Sequence, residues 1–308
     1  MNKVVRKKVL LMGRSGSGKT SMRTILFSNY LPTQTRQLQV TIDVNHSQIS
    51  FLGNYTLNLW DCGGQKQFMD MYLGAQKSQT FKKVEALIYV FDVTSETFDK
   101  DIQEYRAVLE RLYEYSPDAK LFTLIHKMDV FEEDEKDYQY LQKEGKIKLV
   151  SKPFRVVSYP TSIYDDTLYS AWSAITYSLI PMITEVEDKL NSFCNFIEAD
   201  EIVVYEASSL LVISYSSRVE FDESRRFENI STSIKSFYHS CTDLKKTQFK
   251  NIRVELPDKK VYFDTFTSST FIMVIFSNPC LTFTNVAMNV KAIRNKFEDL
   301  IGFKGDDY

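Results

Sequence analysis

Gly13-Arg14-Ser15-Gly16-Ser17-Gly18-Lys19-Thr20 fits the pattern G-x-x-x-x-G-K-S/T without adjustment. Glycines there let successive backbone N–H groups converge on phosphate oxygens, and a helix opening at the same place adds the positive end of its dipole. In such a loop Lys19 reaches the β- and γ-phosphates, and the Thr20 hydroxyl ligates Mg²⁺. That cradle does not choose between ATP and GTP, but three later segments do. Asp61-Cys62-Gly63-Gly64 matches D-x-x-G. Asp61 is placed to hold Mg²⁺ through water and the Gly64 N–H to sense the γ-phosphate. Gln65 follows, where it can orient the attacking water. Lys127-Met128-Asp129 matches K-x-D; a carboxylate at that place accepts both N1–H and N2–H of guanine, a donor pair that adenine lacks. Thr161-Ser162-Ile163 offers backbone N–H groups to guanine O6. Thr41, between the phosphate loop and Asp61, is the natural second hydroxyl for Mg²⁺.

Each short match is weak alone, because D-x-x-G and K-x-D recur by chance. Together, each after an expected strand, they point to guanine nucleotide. The expected contacts are Arg14, Ser15, Gly16, Gly18, Lys19, Thr20, Ser21, Thr35, Thr41, Gly64, His126, Lys127, Asp129, Ser162 and Ile163. Gln65, Thr41 and Lys19 are expected to carry turnover, and Thr20, Thr41 and Asp61 to hold the metal. One position departs from the general pattern. The base-reading motif usually opens with Asn, and here His126 stands in its place. A neutral imidazole donates one N–H, to base N7 or to a loop carbonyl, but not to both.

The elements that must present these residues alternate. Lys7 to Met12 reads as a buried strand, followed by a helix through Met22 and Phe27. Asp43 to Leu59 reads as a β-hairpin turning at Gly53-Asn54. Val84 to Phe91 is a near-continuous apolar run, as a strand covered on both faces requires. Ile102, Tyr105, Leu109 and Leu112 mark an amphipathic helix ending before Pro117. Leu121–Ile125 and Phe154–Ser158 are further strands, separated by a charged, solvated helix over Glu132–Lys148. A helix with Leu168, Trp172, Ile175 and Leu179 ends before Pro181. Strands alternating with helices predict a doubly wound α/β parallel sheet.

After Pro181 the rhythm changes to α-β-β-α-β-β-β-α, which predicts a smaller α+β domain with an antiparallel sheet. Its strands are expected at Ile202–Tyr205 and Leu210–Tyr215 and near 249–256, 260–266 and 270–276. A middle helix over 222–245 and a final one over 283–301 carry wide apolar stripes. The division is therefore 1–181 and 182–308.

Composition fits two ordinary cores. The chain has 308 residues, 44% apolar and 25% charged, with a net charge of −2 that gives no field for a nucleic-acid partner. No apolar run approaches the ~20 residues of a membrane span. Cys62, Cys194, Cys241 and Cys280 and the three histidines are scattered, so reduced thiols in the cytoplasm are expected rather than a disulfide frame or a zinc site. The chain ends Gly305-Asp306-Asp307-Tyr308 and has Asn2. It is therefore expected to carry no lipid signal and no direct membrane insertion, and to reach a membrane only through a partner.

With these residues assembled, the sequence resembles the Rag GTPases of the A/B type, the Gtr proteins of fungi. The resemblance rests on Gly13–Thr20 followed by Ser21-Met22-Arg23, on Thr41-Ile42-Asp43-Val44, and on Asn58-Leu59-Trp60-Asp61-Cys62-Gly63-Gly64-Gln65. It continues through Ser116-Pro117-Asp118-Ala119-Lys120, His126-Lys127-Met128-Asp129, and Ala171-Trp172-Ser173 followed by Leu179-Ile180-Pro181. The His-Lys-Met-Asp form is that family's own. C/D-type members carry a different, proline-containing version of the Asp-Cys-Gly-Gly-Gln segment. The resemblance implies a GTPase with GTP/GDP and Mg²⁺ as ligands and a roadblock-like second domain that pairs with a C/D-type subunit. It also implies a scaffold complex at the lysosome or vacuole surface, a GTPase-activating protein, and amino-acid signalling to the TOR kinase complex. Gln39-Val40, Asn45 and Lys66-Gln67 depart from the family pattern in the switch segments, so effector contacts transfer less directly than nucleotide contacts.

Two other functions are weaker. A small-molecule nucleotide kinase needs an arginine-rich lid, and no such segment occurs. A nucleotide-stabilised scaffold without turnover has no use for Gln65 and Thr41. Arg36, five residues before Thr41, reads as a solvated surface arginine rather than a catalytic one.

Overall fold

The computed structural model describes residues 6–28, 30–38, 45–51, 55–61, 77–180, 182–219, 230, 233–234 and 251–301. The chain divides into two compact units, one of Arg6–Ile49 and Thr56–Ala171, the other chiefly Trp172–Tyr308.

The first unit is wound on a six-stranded sheet, ordered β2-β3-β1-β4-β5-β6. Its strands are β1 (Arg6–Met12), β2 (Asn45–Phe51), β3 (Tyr55–Asp61), β4 (Val84–Asp92), β5 (Lys120–His126) and β6 (Val156–Thr161). The helices are α1 (Lys19–Phe27), α2 (Lys77–Phe81), α3 (Phe98–Tyr115) and α4 (Glu133–Val150), with α5 (Thr167–Ser178) continuing into the second unit. β1 runs parallel to both β3 and β4, and β4, β5 and β6 follow in parallel. The register sets Leu11 beside Asp61, Asp92 beside His126, and His126 beside Thr161. The motifs that leave these strands therefore gather at one edge of the sheet, which is where doubly wound folds bind ligands.

β4 is buried along nearly its whole length, as its apolar run requires. Between β4 and α3 lies an aromatic cluster of Tyr89, Phe91, Phe98 and Tyr105, with ring centroids 4.8–5.4 Å apart. Each such buried ring contributes roughly 1.5–3 kcal/mol of burial energy. α4 is the expected solvated helix, with Ile147 its one fully buried residue. β6 begins and ends later than the apolar pattern suggested, running on through Pro160 to Thr161. It is the outer strand of the sheet, where a residue without a backbone N–H is tolerated.

The second unit holds an antiparallel sheet ordered β8-β7-β11-β10-β9. In chain order come α6 (Ile183–Ile197), β7 (Glu201–Glu206), β8 (Val212–Ser217), β9 (Asn251–Glu255), β10 (Lys260–Thr267), β11 (Thr270–Phe276) and α7 (Phe283–Ile301). The strand order agrees with the sequence pattern; of the middle helix expected over 222–245 only Ile230, Ser233 and Ile234 are described, each helical, and the rest lies outside the described residues. β7 is buried on both faces. Val203, Tyr205, Phe263 and Met273 pack on one side with Ile230 and Ile234, while α6 lies against β8 and α7 against β10. β8 starts at Val212 rather than at Leu210, because a turn closed on Glu206 intervenes. The Glu206 carboxylate accepts hydrogen bonds from the N–H and hydroxyl groups of Ser208 and Ser209, and Leu210 is left in the left-handed region at φ 56°.

Candidate nucleotide-binding site

The phosphate loop joins β1 to α1. Gly13, Gly16 and Gly18 have φ of 142°, 81° and 95°, a region that L side chains rarely adopt. At two of them space forbids a side chain as well. A Cβ on Gly13 would lie 2.3 Å from the Val90 carbonyl oxygen, and one on Gly18 would lie 2.7 Å from the His126 ring. The loop is thus folded tightly over the ends of β4 and β5. Lys19, 5% exposed, crosses the loop and donates from Nζ to the carbonyls of Gly13 and Arg14, both at 2.8 Å. The Ser17 N–H closes the turn on the Arg14 carbonyl at 3.2 Å. Thr20 and Ser21 stand in the first turn of α1, where a helix has N–H groups without intrahelical acceptors. Ser15 and Gly16 are exposed at the mouth.

The Arg14 side chain does not point into the loop. Its Nη1 donates to the Thr97 hydroxyl at 2.7 Å and to Asp101 at 2.5 Å, and its Nε lies 3.7 Å from Glu104. The hydrogen bond to Asp101 raises the guanidinium above its ordinary value, against a smaller desolvation.

The base corner is built from the ends of β5 and β6. Lys127 takes a left-handed φ of 68° and turns the chain into a short 3₁₀ segment carrying Asp129. The buried Ser162 hydroxyl donates to Asp129 Oδ1 at 2.6 Å and accepts from the Tyr164 N–H at 3.0 Å. The Ser162 N–H donates to the Thr167 hydroxyl at 2.9 Å, and Ile163 follows half-buried. These bonds hold an exposed carboxylate in one orientation, which is what reading two N–H groups of a base requires.

His126 is 2% exposed, and its Nδ1 is hydrogen-bonded to the Thr161 hydroxyl at 3.0 Å. Burial, then the adjacent Lys127 charge, lowers the imidazole to about 4, against weaker upward pulls from Asp129 and Asp92. The ring is therefore neutral at pH 7, and it sits between the base corner and Gly18. Nδ1 is thus turned to Thr161 at the end of β6, and Nε2 lies on the side of Gly18.

Asp92 and Asp101 were not singled out by sequence pattern. Asp92 ends β4 and accepts from Lys127 Nζ at 2.6 Å and from the Thr94 N–H and hydroxyl at 2.9 and 2.6 Å. Burial alone would raise its carboxyl; these bonds outweigh it and hold the group below its ordinary range. Its place at the end of an apolar strand was the available signal.

Thr35 lies on a 3₁₀ helix (Pro32–Gln37) packed on α1, its hydroxyl donating to the Pro32 carbonyl at 2.7 Å. Thr41, Gly64 and Gln65 fall outside the described residues. A Mg²⁺ ion fits what is visible. Thr20 opens α1, and Asp61 ends β3 in register with Leu11, so two residues of the oxygen-bearing types this ion prefers stand at the same sheet edge.

The family model for the Gtr1/RagA G protein conserved region matches residues 8–234. Ras-related GTP-binding protein A of Dictyostelium discoideum is 47% identical over 297 residues, covering 96% of this chain and 98% of that one. GTP-binding protein gtr1 of Schizosaccharomyces pombe is 43% identical over 296 residues, covering 96% of each. Ras-related GTP-binding protein C of Homo sapiens is more distant, at 26% over 215 residues, 68% of this chain and 53% of that one.

Proposed function

The chain belongs to the Gtr1/RagA family of G proteins, and from that premise we propose that it is the A/B-type half of a heterodimer with a C/D-type Rag GTPase. It is a GTP-binding switch and a GTPase. In the finer reading the pair docks on a scaffold complex and reports amino-acid availability to the TOR kinase complex. It resides in the cytoplasm and at the lysosome or vacuole surface through its partners. Residues 1–181 are the switching domain and 182–308 the pairing domain. Mg²⁺ would be held by Thr20, Thr41 and, through water, Asp61, where it would offset phosphate charge. Gln65 orients water once an activating protein is bound.

The observation that supports pairing is an edge of the second sheet that no described strand covers. β9 ends that sheet, its residues Arg253, Val254 and Glu255 are exposed, and Val254 and Leu256 are 40% and 42% exposed. An edge left uncovered among the described residues, with apolar residues on it, is a liability for a lone subunit and a template for a partner. Such an interface belongs to the large, apolar, obligate class. Deleting 182–308 should leave nucleotide binding intact and abolish co-purification with the C/D-type chain. Stoichiometric recovery of the truncated protein with that partner, or a full-length chain that is a stable monomer in native extracts, would overturn the reading. Multiple turnovers of GTP with an activating protein present separate a switch from a static scaffold.

A further inference from the structure

We propose that Thr97 and Asp101 of α3 are positioning residues for the phosphate loop, setting how long a guanine nucleotide stays bound without touching it. The inference rests on the guanine-nucleotide reading of residues 13–20 and goes beyond it, because no motif includes α3.

Thr97 occupies the N-cap of α3, where a threonine hydroxyl ordinarily accepts from the helix's own first N–H groups. Here it makes no such bond and accepts from Arg14 Nη1 instead. Asp101 sits in the first turn, 3% exposed, where a carboxylate is favoured by the helix dipole and a cation is not. The Arg14 guanidinium stands against this end of α3 because Asp101 and, more distantly, Glu104 pair with it.

Arg14 is also a fixed point of the cradle. Its carbonyl accepts from Lys19 Nζ and from the Ser17 N–H. The side chain is thus anchored on α3 while the backbone of the same residue aims the lysine that must meet phosphate. Without Asp101 the guanidinium faces the positive end of α3 with only the Thr97 hydroxyl and the more distant Glu104 carboxylate for partners. The loop carbonyl then loses its anchor, and Lys19 loses a defined place. A charge-assisted, half-buried bond of this kind is among the stronger polar contacts a protein makes.

The test uses the full-length chain and fluorescent GDP and GTP analogues, with release timed at fixed Mg²⁺. Asp101→Asn should release both about tenfold faster. Asp101→Glu should restore release to within about threefold of the parent, since it keeps the charge. In a cycle with Arg14→Ala, the double variant should release no faster than the faster single one, because both changes break the same link. Release by Asp101→Asn at the parent's rate, or effects that multiply in the cycle, would overturn the proposal. Should Asp101→Asn fail to fold, Thr97→Val decides: about threefold faster release supports the proposal, and unchanged release ends it. A parent chain that bound no guanine nucleotide would instead fault the reading beneath.

Discussion

The two sheets use similar apolar material for different ends. In the first unit the ladder from β3 through β1, β4 and β5 to β6 is parallel, so every strand delivers its following loop to the same edge. That edge collects the phosphate loop, Asp92, His126, Asp129 and Ser162. In the second unit neighbouring strands are antiparallel and their ends alternate. Successive connections there fall at opposite ends, and the sheet presents faces and an outer strand. A parallel sheet converts chain topology into a chemical site; an antiparallel one converts it into a surface.

That contrast predicts that chemistry and cohesion fail separately. The largest effect belongs to Asp129→Asn. It inverts the hydrogen-bond sense at guanine position 2 and should weaken GTP on the order of 10⁴-fold while favouring xanthosine nucleotides. Thermal unfolding without nucleotide should barely move, because Asp129 is exposed. Unchanged GTP affinity in a titration would remove Asp129 from the base corner.

Phe263→Ala probes the other side. Phe263 is 3% exposed and stacks on Phe271 at 5.1 Å, with Tyr205 at 6.2 Å. Its loss should cost about 3–5 kcal/mol in denaturant unfolding of the second unit. Nucleotide affinity should stay within about twofold of the parent, and a parallel fall would break the contrast.

His126 sharpens it, being both site and core. Its folded pKa lies at about 4, against about 6.5 for the unfolded chain. Above about pH 6.5 both states are neutral, and the ring's contribution is fully present. As pH falls from about 6.5 towards 4, the unfolded chain takes up a proton that the folded one refuses, so stability drops by about 3 kcal/mol in all. Unfolding free energies at pH 7 and 4.5 should differ less in His126→Asn than in the parent. Equal pH slopes would mean that the imidazole is not held neutral by burial.

Much of this was legible beforehand because the signals are local. A glycine-rich turn between strand and helix, Lys-Met-Asp after an apolar run, and the α-β-β-α-β-β-β-α rhythm all lie within short windows. The strand limits that moved did so for tertiary or turn reasons. Pro160 is accommodated by an outer strand, and Leu210 is held off β8 by the Glu206 turn. Arg14 on Asp101 and Lys127 on Asp92 were not legible. Their partners are 87 and 35 residues apart, and only the register of parallel strands brings them together. His126 could be read as a substitute for Asn, but its bond to Thr161 depends on the pairing of β5 with β6.

The order of the two units also has a consequence for synthesis. Each residue placed in the site, from Gly13 to Thr167, precedes the sheet that would recruit a partner. When Thr167 is added, β9 still lies about 84 residues ahead, on the order of ten seconds of translation. A nascent chain thus has time to gather its first sheet and take up nucleotide while the open β9 edge does not yet exist. The exposed strand that needs a companion is made only after every residue of the site, by a chain already able to declare which nucleotide it holds.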